Sequence, residues 1–316
     1  MDFRIKNVTP EAENFITEFT DSRDYVEVHT SGSTGVPKQI RLLKADMIRS
    51  AEASCRFFGI TSASRLVCPL SASYIAGKMM IVRAAAGGAE LFMETPSNNP
   101  VTMDYGTIDL LPVVPSQLVS LIADSDKCAK IRQVIVGGGA VPEVMKTALK
   151  NAPFEVFATY GMTETASHVA LSDLKTGNGV FQALPGISFD VDDDYCLKIN
   201  AEGFSFSGIQ TNDVVKLLDD KHFVWVGRRD NVIITGGVKV HVEEIERKIS
   251  HLIPGDFYVI GVPDNFWGQK VVLYSTVSVD LASLRPYLTK FEMPKEIRIA
   301  ENFAYTPTGK IKRIIL

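Results

Sequence analysis

Between His29 and Ile40 the chain reads HTSGSTGVPKQI. Thr30, Ser31, Ser33 and Thr34 carry hydroxyl groups, and Gly32 and Gly35 let backbone N–H groups turn toward an anion. Lys38 adds a mobile positive charge. This composition suits a polyphosphate. It is not a Walker loop, because Pro37 stands where the second glycine of that spacing belongs. A second run, VGGGAVP (136–142), contains Gly137, Gly138 and Gly139 but breaks the dinucleotide pattern at Pro142. Taken singly, either stretch is equally a surface turn.

The elements around these loops alternate. Residues 24–30 read as a strand, 44–58 as a helix, 65–70 as a strand and 76–86 as a helix. Strand patterns recur at 89–93, 107–113, 132–139 and 154–161, and Pro115 and Pro142 each open a helix. This order predicts parallel sheets flanked by helices, with ligands at the carboxyl ends of the strands, where the glycine runs fall. After about residue 180, short strands joined by acidic turns predict a small antiparallel subdomain. A new α+β unit begins near Asp230: a strand and glycine turn at 232–239, a helix at 242–252, strands at 257–262 and 271–278, and a helix near 283–290. The expected fold is therefore α/β, with a large domain over residues 1–229 and a small mobile α+β domain over 230–316.

Bulk properties exclude several classes. The 316 residues suffice for two domains, and 46% hydrophobic with 22% charged residues is ordinary globular composition. A net charge of −4 offers no basic stripe for nucleic acid. No uncharged apolar run approaches the roughly 20 residues of a membrane span. Cys55, Cys68, Cys128 and Cys196 show no zinc or disulfide spacing, which suits reduced core thiols and a cytoplasmic protein.

SGSTGVPK, together with VGGGAVP, TYGMTET (159–165), TNDVV (211–215), GRRDNVIITGGVKVHVEEIE (227–246) and PTGKIKR (307–313), resembles the acyl-adenylate-forming superfamily, block by block and in the same order. The resemblance implies activation of a carboxylic acid with ATP and Mg²⁺ to an acyl-adenylate, then transfer to a thiol, normally that of coenzyme A. It also implies site residues. Ser31 to Lys38 would grip the β- and γ-phosphates. Gly137 to Gly139 would lie against adenine, with Tyr160 stacked on it. Asp213 would take both ribose hydroxyls, assisted by Arg228, and its two oxygens suit that task. Thr163 would sit near the α-phosphate, and Glu164 would bind the metal. Lys310 would bridge the substrate carboxylate and the α-phosphate, where added positive charge is commonly worth roughly 3–4 kcal/mol. Lys312 and Arg313 read as surface charges. Asp230 would be the hinge, and Gly236 and Gly237 would line the channel of a pantetheine arm.

The acid is less directly encoded. The blocks look most like those of the o-succinylbenzoate–CoA ligases of menaquinone synthesis, whose substrate is an aromatic keto-diacid. In that reading Tyr74, Lys78, Ser167 and His168 line the acyl pocket, and Lys78 meets the second carboxylate, with Arg83 a weaker candidate. Other aryl- or fatty-acyl-CoA ligases, and adenylation enzymes that load a carrier protein, share the same blocks. Members of the family carry a longer stretch ahead of the phosphate loop, so the short run before Thr30 implies a reduced N-terminal subdomain.

Overall fold

The computed structural model describes residues 2–29, 39–305 and 311–315. The expected phosphate grip (Thr30, Ser31, Gly32, Ser33, Thr34, Gly35, Lys38) and Lys310 lie outside the described residues.

The chain begins with Ile5–Lys6 (β1), Pro10–Thr20 (α1), Tyr25–His29 (β2), Gln39–Leu43 (β3), Lys44–Phe58 (α2), Arg65–Cys68 (β4), Ile75–Gly87 (α3) and Glu90–Met93 (β5). β1, β5 and β4 form a parallel sheet in that order, while β2 and β3 form an antiparallel ribbon with His29 opposite Gln39. α1 starts at Thr9, whose hydroxyl accepts the Ala12 N–H, and Pro10 occupies the first turn. α2 and α3 end at Gly59 and Gly88, both at φ +66°, a left-handed turn that glycine adopts without a Cβ clash. α3 is buried continuously from Gly77 to Ala84, as expected for a helix apolar on every face. Lys78 and Arg83 are the charged residues in that buried run.

Leu111–Val113 (β6), Pro115–Ile122 (α4), Ser125–Cys128 (α5), Gln133–Val136 (β7), Glu143–Leu149 (α6) and Glu155–Gly161 (β8) keep the expected alternation, with β6, β7 and β8 parallel. His168–Asp173 (β9) then reverses direction against β8. Residues 162–167 are too few for a crossover, so the return must be antiparallel. Val180–Ala183 (β10), Ile187–Val191 (β11), Cys196–Ala201 (β12), Ile209–Leu217 (β13) and His222–Arg228 (β14) continue antiparallel. They do not form a sheet of their own. They extend the parallel strands into one nine-stranded sheet of order β11-β12-β13-β14-β10-β9-β8-β7-β6.

Val232–Thr235 (β15), Val238–His241 (β16), Val242–Ile249 (α7), Phe257–Asp264 (β17), Gly268–Ser275 (β18), Leu281–Leu284 (α8) and Glu296–Ile299 (β19) build a separate five-stranded sheet. It has its own core of Ile233, Val240, Ile245, Ile249, Val259, Val271, Leu273 and Leu284. The helix expected near 283–290 is one short turn. Among the described residues no helix is long and apolar enough to cross a membrane. All four cysteines are buried as free thiols.

Candidate functional site

Asp213 organises one end of the site. Tyr160, near the end of β8, donates its hydroxyl to Asp213 Oδ2 at 2.7 Å. Trp225 on β14 donates Nε1–H to Oδ1 at 3.3 Å, and the Arg228 guanidinium stands 3.6 Å from the same oxygen. Asp213 and Arg228 are direct cross-strand partners. β13 lies four places from β8 in the sheet order. In a flat sheet that would be about 19 Å, far beyond a tyrosine's reach, so the sheet curls strongly between them. Phe181 and Phe223 fill the inside of the curl, their rings 5.8 and 5.1 Å from that of Tyr160. Burial, reinforced by the Asp213 charge, pushes the Tyr160 phenol well above its ordinary range, so it stays a donor. Two hydrogen bonds use two of the carboxylate's roughly four acceptor directions. One direction on each oxygen remains, which is what a vicinal diol requires.

The glycine run follows β7. A Cβ on Gly137 would come within 2.9 Å of Thr159 Oγ1, and Gly138 sits at φ +79°. Thr163, Glu164 and Thr165 form a short 3₁₀ turn after β8. It is fixed from below: Thr165 is buried, its hydroxyl accepts the Met162 N–H at 3.0 Å and also lies 2.7 Å from the Ser167 carbonyl. A Cβ on Gly161 would meet that carbonyl at 2.3 Å, so only glycine lets the two segments touch. Ala166 takes φ +60°, a strained value for a residue with a side chain. Glu164 is exposed and has no ion-pair partner among the described residues. A single carboxylate fits Mg²⁺ that takes its other ligands from phosphate and water. No cluster of three or more potential metal ligands occurs among the described residues.

The acyl-pocket candidates separate. Tyr74 caps α3 and is half exposed. Lys78 points to α1: its ammonium lies 4.6 Å over the Phe15 ring and faces a cavity of about 190 Å³ that Glu11, Asn14, Glu18 and Ser73 also line. Arg83 stands five residues later, about 140° around the helix, and faces Ser167 and His168, just after the Thr-Glu turn. It is 2% exposed. Its Nη2 donates to Ser167 Oγ and, at 3.3 Å, to His168 Nδ1. Its Nε has no partner, and no carboxylate pairs with it among the described residues. Burial pushes the guanidinium down to about 10, so it remains charged at neutral pH.

His168 is 7% exposed, and burial, aided by the Arg83 charge, holds it well below the ordinary histidine range. It is neutral. Because arginine can only donate, Nδ1 is the acceptor and the proton sits on Nε2. That N–H donates to Ser54 Oγ at 3.1 Å, and Ser54 donates to the Ser50 carbonyl at 3.0 Å. An arginine within IAGKMMIVRAAAG was the visible signal for this network; Ser54 and Trp225 gave none.

At the far end of β14, Arg228 also reaches Asp230 at 2.9 Å, and Arg229 donates to Asn212 at 2.8 Å. Glu243 of α7 accepts from the Asn231 side chain and, at 3.4 Å, from Arg228 N–H. Gly236 and Gly237 form the tight turn between β15 and β16, both with positive φ. The Trp267 and Phe291 rings pack directly against Gly236.

Comparison with known proteins places the chain in a family. The family model described as AMP-binding enzyme matches residues 13–203. The chain belongs to that family. A solved acyl-CoA synthetase (AMP-forming)/AMP-acid ligase II-like protein from Dyadobacter fermentans is 33% identical, covering 99% of this chain and 94% of that one, with a TM-score of 0.66. The 2-succinylbenzoate–CoA ligase of Listeria monocytogenes is 29% identical over 92% of this chain, which spans 69% of that relative's length. The o-succinylbenzoate coenzyme A synthetase of Bacillus subtilis, solved with ATP and magnesium ion, shares the fold at 21% identity, over 91% of this chain and 68% of that one, with a TM-score of 0.78.

Proposed function

We propose that this AMP-binding enzyme is an ATP-dependent acid–CoA ligase that joins an aromatic diacid of the o-succinylbenzoate type to AMP and then to the thiol of coenzyme A. The observation that carries the diacid reading is Arg83, a buried guanidinium with no carboxylate partner among the described residues, beside Ser167, which follows the Thr163–Thr165 turn closely in the chain. A charge held that way in a low-dielectric site attracts an anion strongly. One carboxylate of the acid would meet Ser167 Oγ with the guanidinium behind it, leaving the other to be activated.

The remaining residues divide the work. Asp213, held by Tyr160 and Trp225, takes the ribose hydroxyls. Gly137 to Gly139 receive the base. Thr163 orients the α-phosphate, and the loop from Thr30 to Lys38 holds the leaving pyrophosphate. Glu164 would hold Mg²⁺, which would supply positive charge at the triphosphate. Lys310 draws the attacking carboxylate and the α-phosphate together, and alignment of the two reactants lowers the barrier further. Residues 230–316, with a core of their own, are the mobile domain of this reading. Asp230 is its hinge, and the Gly236–Gly237 turn lies along the thiol channel.

The test is acid-dependent ATP–pyrophosphate exchange over a panel of acids, followed by addition of coenzyme A. Exchange with o-succinylbenzoate and a thioester product on adding coenzyme A support the proposal. Strong exchange with benzoate or a fatty acid and none with o-succinylbenzoate overturns the diacid assignment.

A further inference from the structure

The cavity of about 190 Å³ between α1 and α3 lies on a different side of α3 from Arg83. On α1, Glu11, Asn14, Phe15 and Glu18 follow the i, i+3, i+4, i+7 spacing of one helix face, and all four line it. Ser73 and Lys78 line it from the other side. Glycine lets the segment that carries Ser73 lie on α3: a Cβ on Gly77 would meet the Ser71 carbonyl at 2.3 Å. Lys78 is 9% exposed. Its ammonium rests 4.6 Å over the Phe15 ring and has no hydrogen-bond acceptor or ion-pair partner among the described residues. All three of its N–H donors are therefore unused. Burial pulls this ammonium below the ordinary lysine range, with Glu18 opposing the shift. Glu18 Oε1 accepts the Glu27 N–H at 2.8 Å and stands 3.7 Å from Arg23, while Oε2 has no partner among the described residues.

We propose that this cavity binds a small zwitterion of the amino-acid class, its carboxylate on Lys78 and Ser73 and its ammonium between Glu11 and Glu18. Charge decides the class. A simple anion satisfies Lys78 but faces two carboxylates. A simple amine satisfies the carboxylates but faces the Lys78 ammonium. A molecule that carries both signs meets all three groups, and charges attract more strongly at a partly buried site than in bulk water. Asn14 offers an acceptor and two donors and serves either end of such a ligand. The cavity has room for the volume of about six waters, which suits a free amino acid with a small side chain and excludes a peptide or a nucleotide.

The experiment is calorimetric titration of the full-length protein with glycine, β-alanine and γ-aminobutyrate, and with acetate and ethylamine as the two half-ligands. The three zwitterions differ in the spacing of their charges. At least one is expected to bind about 10-fold or more tightly than either half-ligand. Lys78→Met and Glu18→Gln are each expected to weaken that binding about 10-fold or more, and Lys78→Arg to retain most of it. Glu18→Gln keeps an acceptor for the Glu27 N–H, and thermal melts establish that each variant folds. The proposal is overturned if none of the three zwitterions binds at ~10 mM, if a half-ligand binds as tightly as the best of them, or if zwitterion binding survives both Lys78→Met and Glu18→Gln unchanged.

Discussion

Replacing Arg83 by methionine separates stability from specificity. Methionine has similar length and fills the same slot between α2, α3 and β9. Holding a guanidinium pushed down to about 10 costs the folded state about 3 kcal/mol. Removing it recovers that cost and forfeits the bonds to Ser167 and His168, leaving His168 Nδ1 without its donor. Those losses come to about 2–3 kcal/mol. The two sides nearly cancel, so the melting temperature should stay within a few degrees of wild type, and a rise is as compatible as a fall. Catalysis does not cancel. In the proposed site the substrate carboxylate meets Ser167 Oγ with the guanidinium behind it, and such a charge-assisted arrangement is worth about 1.5–3 kcal/mol, or roughly 10- to 150-fold in kcat/KM. The assay is pyrophosphate exchange with o-succinylbenzoate and benzoate in parallel. The ratio of diacid to monoacid kcat/KM should drop by that factor. Retention of the wild-type ratio in a folded Arg83→Met protein would refute the reasoning, whatever happened to the absolute rates.

Lys78→Met offers the contrast: its ammonium faces α1, so the diacid-to-monoacid ratio should change by less than about 2-fold, and a drop matching that of Arg83→Met would place the second carboxylate elsewhere. His168 predicts a pH dependence. Its folded-state pKa lies below the ordinary 6.5, so the unfolded chain takes up the proton first; the stability contribution is complete above about pH 6.5 and is lost below it, at up to about 1.4 kcal/mol per pH unit. His168→Asn should flatten the fall in denaturation midpoint between pH 6.5 and 5, and parallel curves would rule this out. Asp213→Asn should raise KM for ATP about 10- to 100-fold with a smaller effect on KM for the acid; equal effects would mean a general disturbance. Gly161→Ala places a methyl 2.3 Å from the Ser167 carbonyl and should destabilise by several kcal/mol, read as a lowered denaturant midpoint.

What sequence pattern could reveal was local. Lys44 to Phe58 reads as a helix because of its own apolar spacing and the glycine that directly follows it, and the structure has α2 over the same residues. The glycine runs and the Thr-Glu turn announce themselves through residues that neighbour each other in the chain. The contacts that give the site its character span long intervals. Tyr160 meets Asp213 only because the sheet curls, and no strand encodes that curl alone. Arg83 and Lys78 sit on one apolar helix. Which of them faces Ser167 and His168 depends on α1 packing on one side and β9 on the other. The same holds for Arg313, a surface charge by its sequence, which donates to Glu246 at 2.6 Å because the tail folds back over β17.

The hydrogen-bond chain from Arg83 through His168 and Ser54 to the Ser50 carbonyl runs in a single direction, each group donating to the next. This has a consequence for how such an enzyme can diverge. A mutation that first removes the arginine strands an imidazole nitrogen in the interior. One that first removes the histidine leaves the guanidinium with fewer acceptors than before. Descendants that change one of these residues must therefore change the others with it, or pass through a weakened ancestor, so this buried network is inherited as a block while the half-exposed Tyr74 can drift freely.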